Sequence, residues 1–358
     1  MPVSQGFVAS LAMVLTAGAL AAVLCRRLGQ PVVLGYILVG LLIGPHAPPT
    51  VLADMNVVRG LADLGVILVM FSLGLEFSLG RLARMLPRAG LATLLELSLT
   101  AWLGFVIGRW FGFSAAASVL AGIMFAISSD TVVARAFKDE HVGERFKEVV
   151  WGVLLVEDLV AVALLALLAT FPTRGAFDLL LVASTLGRLA IFLVALLAVG
   201  MFVIPRFIGA VARLRNDETL LIAAIGLCFA FALAAEQFGY SLALGAFAAG
   251  TLVAESGEGP RVESLVDAVR DVFAAIFFVS VGTLLDPAQV AAHWKAVAIF
   301  TVLVMAGNFA GVSMGAFLSG NGVRASVRAA MSLGQIGEFS YIIAAIAVAR
   351  AMIPQSLY

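Results

Sequence analysis

Glu157 and Asp158 stand side by side in "WGVLLVEDLVAVALLALLATF", an otherwise apolar run from Trp151 to Phe171. An acid at the centre of a membrane helix costs about 2.5–3.5 kcal/mol on insertion scales, so two of them there imply a function. Carboxylate oxygens are hard ligands that suit cations. Leaving water favours the neutral form of a carboxyl, and a second acid beside it does the same. A cation and a proton then compete for the same oxygens. If that site opens first to one side of a membrane and then to the other, the competition yields obligatory exchange. Neighbouring helical residues point about 100° apart, so one acid can meet a cation while the other pairs elsewhere. The alternative for either acid is a structural ion pair or a buried hydrogen bond.

Two other apolar runs are interrupted by polar residues. Ser128, Ser129, Asp130 and Thr131 separate "VLAGIMFAI" from "VVARAF", and "GQIGE", Gly334 to Glu338, precedes "FSYIIAAIAVA". Hydroxyls and freed carbonyls at the first break could complete the shell of an ion. Equally, the serines could only cap half-helices, and Asp130 could neutralise a half-helix N-terminus. At the second break Gln335 and Glu338 are three residues apart and share a helical face. Arg135, from the first interrupted segment, could pair with Glu338 as a structural clamp between the two.

The rest of the chain must hold these residues in a membrane. Hydrophobic residues make up 62% of the 358 and charged residues 12%, about half the charged share of an ordinary soluble domain. The mean hydropathy is +1.10. Twelve segments are long and apolar enough to be read as membrane-spanning: 6–24, 31–45, 57–78, 89–108, 114–137, 149–171, 177–204, 217–237, 240–255, 264–285, 294–318 and 325–348. The fold class expected is an all-α polytopic membrane protein. Lysine and arginine concentrate in alternate loops, including Arg26, Arg27, Arg81, Arg84, Arg213, Arg215, Arg324 and Arg328. The positive-inside rule then places the N-terminus outside.

Lys and Arg together equal Asp and Glu, at 22 each, so charge gives no hint of a nucleic-acid partner. Cys25 and Cys228 lie in or beside apolar runs and read as buried hydrophobes rather than a disulfide or a zinc site. His46, His141 and His293 have no partner at metal-ligand spacing, and no phosphate-binding loop occurs. Neither a cofactor nor an enzymatic activity is expected. The two interrupted segments are the fifth and the twelfth. An odd offset runs them in opposite directions, the signature of an inverted repeat whose broken helices mark a transport site.

"LLVEDLVAV", "AISSDTVVARAF", "FFVSVGTLLD" and "SLGQIGEFSYIIA" together, in this order, resemble the Kef-like branch of the monovalent cation:proton antiporters. The resemblance covers essentially the whole chain. It implies an inverted-repeat fold with two crossed, interrupted helices. It also implies thirteen helices, of which twelve segments are visible, with the last helix and a cytosolic regulatory domain absent from these 358 residues. The dimerisation part would be roughly 1–80 and 217–285, the core roughly 89–171 and 294–348, and the linker helix 177–204. Asp158 would be the essential ion-binding acid and Glu157 its variable neighbour. Many relatives place a lysine in the segment before "GEF"; here "VMAGNFAG" offers Asn308, an amide that could hydrogen-bond a protonated acid but carries no charge.

The expected activity is secondary transport of potassium or sodium against protons by a homodimer in the bacterial cytoplasmic membrane. A cation channel or a non-transporting ion sensor is the alternative; an intramembrane enzyme using Asp158 with Asp130 is disfavoured by the inverted broken helices.

Overall fold

Lipid satisfies no backbone hydrogen bond, so a membrane-crossing segment must close its own, and helices result. The computed structural model describes residues 5–46, 55–76, 79–129, 132–133, 144–170 and 179–358. The helices are α1 (Gln5–Arg27), α2 (Val32–Ile43), α3 (Met55–Glu76), α4 (Leu79–Trp110), α5 (Ala115–Ala126), α6 (Glu144–Thr170) and α7 (Leu179–Ala212). They continue as α8 (Asp217–Gln237), α9 (Leu242–Val253), α10 (Gly259–Thr283), the single turn α11 (Pro287–Ala292), α12 (Trp294–Leu318), α13 (Val323–Ser332) and α14 (Glu338–Ala349). The expected all-α architecture is thus observed, with each predicted segment represented by helix.

Two segments are shorter than expected. Helices α2 and α9 have 12 residues each, about 18 Å at 1.5 Å per residue, against a hydrocarbon core of about 30 Å. In α9 every residue from Ala243 to Val253 is buried, so protein rather than lipid surrounds it. A π-turn at Ala254–Glu258, with Gly257 at φ 81°, carries the chain on into α10.

The chain divides into two compact units. The first comprises Met1–Ser78 and Ala183–Gln289. In it α3 packs on α9 and α10, and α2 packs on α10. Close approach of membrane helices requires small residues, and here the contacts are reciprocal. A methyl group on Gly40 of α2 would overlap the Val279 carbonyl oxygen and lie 2.9 Å from Gly282 Cα. One on Gly250 of α9 would overlap the Phe71 carbonyl oxygen and lie 2.9 Å from Gly74 Cα. The short helix of each repeat therefore grips the third helix of the other, as two copies of one three-helix unit would. The charges on α10 are matched locally: Arg270 Nη1 donates to Ser72 Oγ at 2.8 Å and lies 2.9 Å from Asp267.

The second unit comprises Leu79–Val182 and Val290–Tyr358. Here α4 packs on α5, α6 and α12, and α6 also meets both α13 and α14. A glycine stripe draws α12 onto α4: Gly307, Gly311 and Gly315 face Thr100, Glu96 and Ala92 in antiparallel order. An aliphatic cluster of Val149, Val150, Val153 and Leu154 with Val312, Ala316, Ala329 and Ala330 fills the Glu144 end of this unit.

Candidate functional site

Both predicted interruptions are present in the second unit, and they meet. Helix α5 ends at Ala126 and its C-cap Ile127 is extended, with φ −78° and ψ 117°. Helix α13 ends at Ser332, and α14 begins at Glu338 after the N-cap Gly337. Gly337 N–H donates to the Ile127 carbonyl at 2.6 Å, joining the two breaks backbone to backbone. A Cβ on Gly337 would overlap the Ser128 carbonyl and lie 3.1 Å from Ser129 N. Only glycine fits at this crossing.

An interruption at mid-membrane depth frees backbone groups that lipid cannot satisfy. Side chains of this unit take them up. Ser128 N–H donates to Glu157 Oε2 at 2.6 Å. The Leu333 carbonyl accepts from Ser128 Oγ at 3.1 Å and from Asn308 Nδ2 at 3.2 Å. Ser340 Oγ donates to the Met124 carbonyl near the end of α5. Gln335 Nε2 reaches the Ser129 carbonyl at 3.5 Å. Asn308 is completed by Thr100 Oγ1, which donates to its Oδ1 at 3.0 Å. Its amide accepts on one side and donates on the other, a pair of roles that an ammonium group could not fill.

Glu157 of the acid pair touches the first break through Ser128. It is fully buried at 0% exposure, and Asp158 is buried at 3%. Their helix, α6, runs along α4 and both halves of the second interrupted helix. Asp130, Thr131 and Arg135 lie outside the described residues, as does the side chain of Glu338, whose backbone opens α14. Ser128, Ser129, Glu157, Asn308 and Gln335 are brought together around the two breaks.

Glu96 joins them unannounced. It sits at 0% exposure on α4, one turn from Thr100, and lies within hydrogen-bonding reach of Glu157. The signal that singles out Glu157 and Asp158 also marks Glu96: an acid inside the apolar run "GLATLLELSLTAWLGF".

The surroundings of the junction differ at its two ends. Toward Glu144, the aliphatic cluster on α6, α12 and α13 is packed shut, with Val150 and Val153 at 0% exposure. At the opposite end, a cavity of about 380 Å³ lies among Phe111, Phe125, His293, Phe300 and Leu357 and reaches Ile336 in the second break.

A family model described as the transmembrane sodium/hydrogen exchanger matches residues 11–358. YbaL of Escherichia coli (strain K12), whose name places it among cation/proton antiporters, is 33% identical over 347 residues, covering 93% of this chain and 61% of its own. K(+) efflux antiporter 5 of Arabidopsis thaliana is 29% identical over 345 residues, covering 94% of this chain and 60% of its own. The chain therefore spans about three fifths of the length of these relatives. The structure of the sodium proton antiporter MjNhaP1 from Methanocaldococcus jannaschii at pH 8 is similar in fold. Its TM-score is 0.73 at 15% identity, covering 98% of this chain and 89% of that one.

Proposed function

Because the chain belongs to the transmembrane sodium/hydrogen exchanger family, we propose that it is a secondary transporter, not an enzyme, exchanging potassium or sodium for protons by alternating access. The observation that carries this reading is the hydrogen bond from Ser128 N–H to Glu157 Oε2. It docks the acidic helix onto the first interruption, and Asp158 follows one residue later on that helix. Asp158 is the carboxylate on which cation and proton alternate. Ser128, Ser129, Asp130 and Thr131 offer the oxygens that replace water around the ion, and Gln335, Glu338, Arg135 and Asn308 hold the junction together.

Alternating access needs one closed side and one open side. The packed aliphatic cluster at the Glu144 end and the cavity reaching Ile336 support such a reading. Relatives named for potassium efflux and a structural neighbour named for sodium keep both ions as candidates. The protein would lie in the bacterial cytoplasmic membrane as a multi-pass homodimer with its N-terminus outside, residues roughly 1–80 and 217–285 forming the dimer contact.

The test is dissipation of an imposed pH gradient in proteoliposomes on addition of potassium, sodium, lithium or choline. Exchange predicts a response to potassium or sodium, saturable in cation, and none to choline. Single-channel conductance would identify a channel, and cation binding without flux an ion sensor; either result refutes exchange.

A further inference from the structure

Exchange at Asp158 leaves Glu96 without a task, yet it is as deeply buried as any acid in the chain. Neither of its carboxyl oxygens has a hydrogen-bond donor, and Glu157 Oε1 has none either. Glu96 and Glu157 are within hydrogen-bonding reach of each other. No basic side chain among the described residues pairs with either; the ion pairs found there belong to Arg261 and Arg270. Buried oxygens without donors are rare in folded proteins because each loses its solvation uncompensated.

One hydrogen placed between the two carboxyls removes most of this deficit. Glu157 Oε2 already accepts from Ser128 N–H, which makes Glu157 the acceptor of the pair. Glu96, with no donor of its own, is left to carry the hydrogen. Its position is also fixed from behind, since a Cβ on Gly311 of α12 would lie 2.5 Å from Glu96 Cα. Helix α12 thus presses α4 close, and α4 presents Glu96 to Glu157.

We propose that Glu96 is a positioning residue: as a carboxylic acid it donates to Glu157 Oε1 and holds Glu157 on the Ser128 N–H, so that α4 sets the geometry of the first interruption. The inference rests on the reading that the cation binds at Asp158 beside that interruption. Glu96 does not touch the ion; it acts through Glu157.

Replacement at Glu96, with cation dependence measured in proteoliposomes, tests this. Glu96→Gln keeps a donor of similar length and is expected to retain exchange with KM for the cation within about twofold of wild type. Glu96→Leu removes the donor and is expected to raise KM by about tenfold or more, with a smaller change in maximal rate. Should that variant fail to accumulate, Glu96→Asp, one methylene too short, is expected to raise KM likewise. A Glu96→Gln protein as inactive as Asp158→Asn would make Glu96 an exchanging acid and overturn the proposal. Wild-type KM in Glu96→Leu or Glu96→Asp would overturn it too. If Asp158→Asn itself kept exchange, the site assignment would fail, whatever the Glu96 variants show.

Discussion

Two acids one peptide bond apart have different surroundings because helical neighbours point about 100° apart. Glu157 meets the Ser128 N–H, while Asp158 takes the next direction around α6. Asn308 shows the same economy, its one amide joining Thr100 on α4 to the Leu333 carbonyl of the second break. Asn308→Leu leaves the Thr100 hydroxyl without its partner and takes one donor from the Leu333 carbonyl. A loss of about 1–3 kcal/mol is expected, read as a lowered melting temperature in detergent. An unchanged melting temperature would show that the bridge carries no load. The acid pair and the serines were legible in the sequence because polar atoms in an apolar run have few explanations. Glu96 obeyed the same rule but stood alone, and only the packing of α4 against α6 and α12 reveals its partner. The Glu157 contact with Ser128 also needed coordinates, since spacing says that two acids diverge but not what each one meets.

At the scale of elements, the two interruptions were visible as glycine and hydroxyl clusters and fall within a residue or so of their expected places. The crossing between them was not, because a contact between residues some 200 positions apart leaves no local pattern. Gly337 is its tightest point. Gly337→Ala would drive a methyl group into the Ser128 carbonyl, and neither backbone can yield easily. Overpacking of this kind costs about 1–3 kcal/mol, so exchange should fall steeply even in protein that still purifies as a single species. Gly226→Ala on α8, where nothing lies within 4 Å of the added methyl, is the matched control and should leave exchange intact. Equal activity in the two variants would mean that the crossing tolerates displacement. Helix lengths were less legible. The sequence start of 89 for the fourth segment missed residues 79–88, where three arginines and a proline in "LGRLARMLPR" read as a loop although the backbone is helical. The short α2 and α9 were read as full spans because apolar composition does not tell lipid from protein surroundings.

For the molecule as a whole, the loop charges predict an orientation that can be tested directly. The two native thiols, Cys25 and Cys228, are buried, so an impermeant maleimide should label the wild type little. Leu214→Cys lies in the exposed turn between α7 and α8, and Gln289→Cys in exposed α11. With the N-terminus outside, Gln289→Cys should label in intact cells and Leu214→Cys only after permeabilisation; the reverse pattern would invert the topology. The exchange reading depends on the joined breaks of the second unit. Its most direct test compares wild type with Asp158→Asn in proteoliposomes carrying an imposed pH gradient. The wild type should dissipate the gradient when potassium or sodium is added, and the variant, eluting as the same folded species, should not. Gradient dissipation of wild-type size in Asp158→Asn would contradict the account.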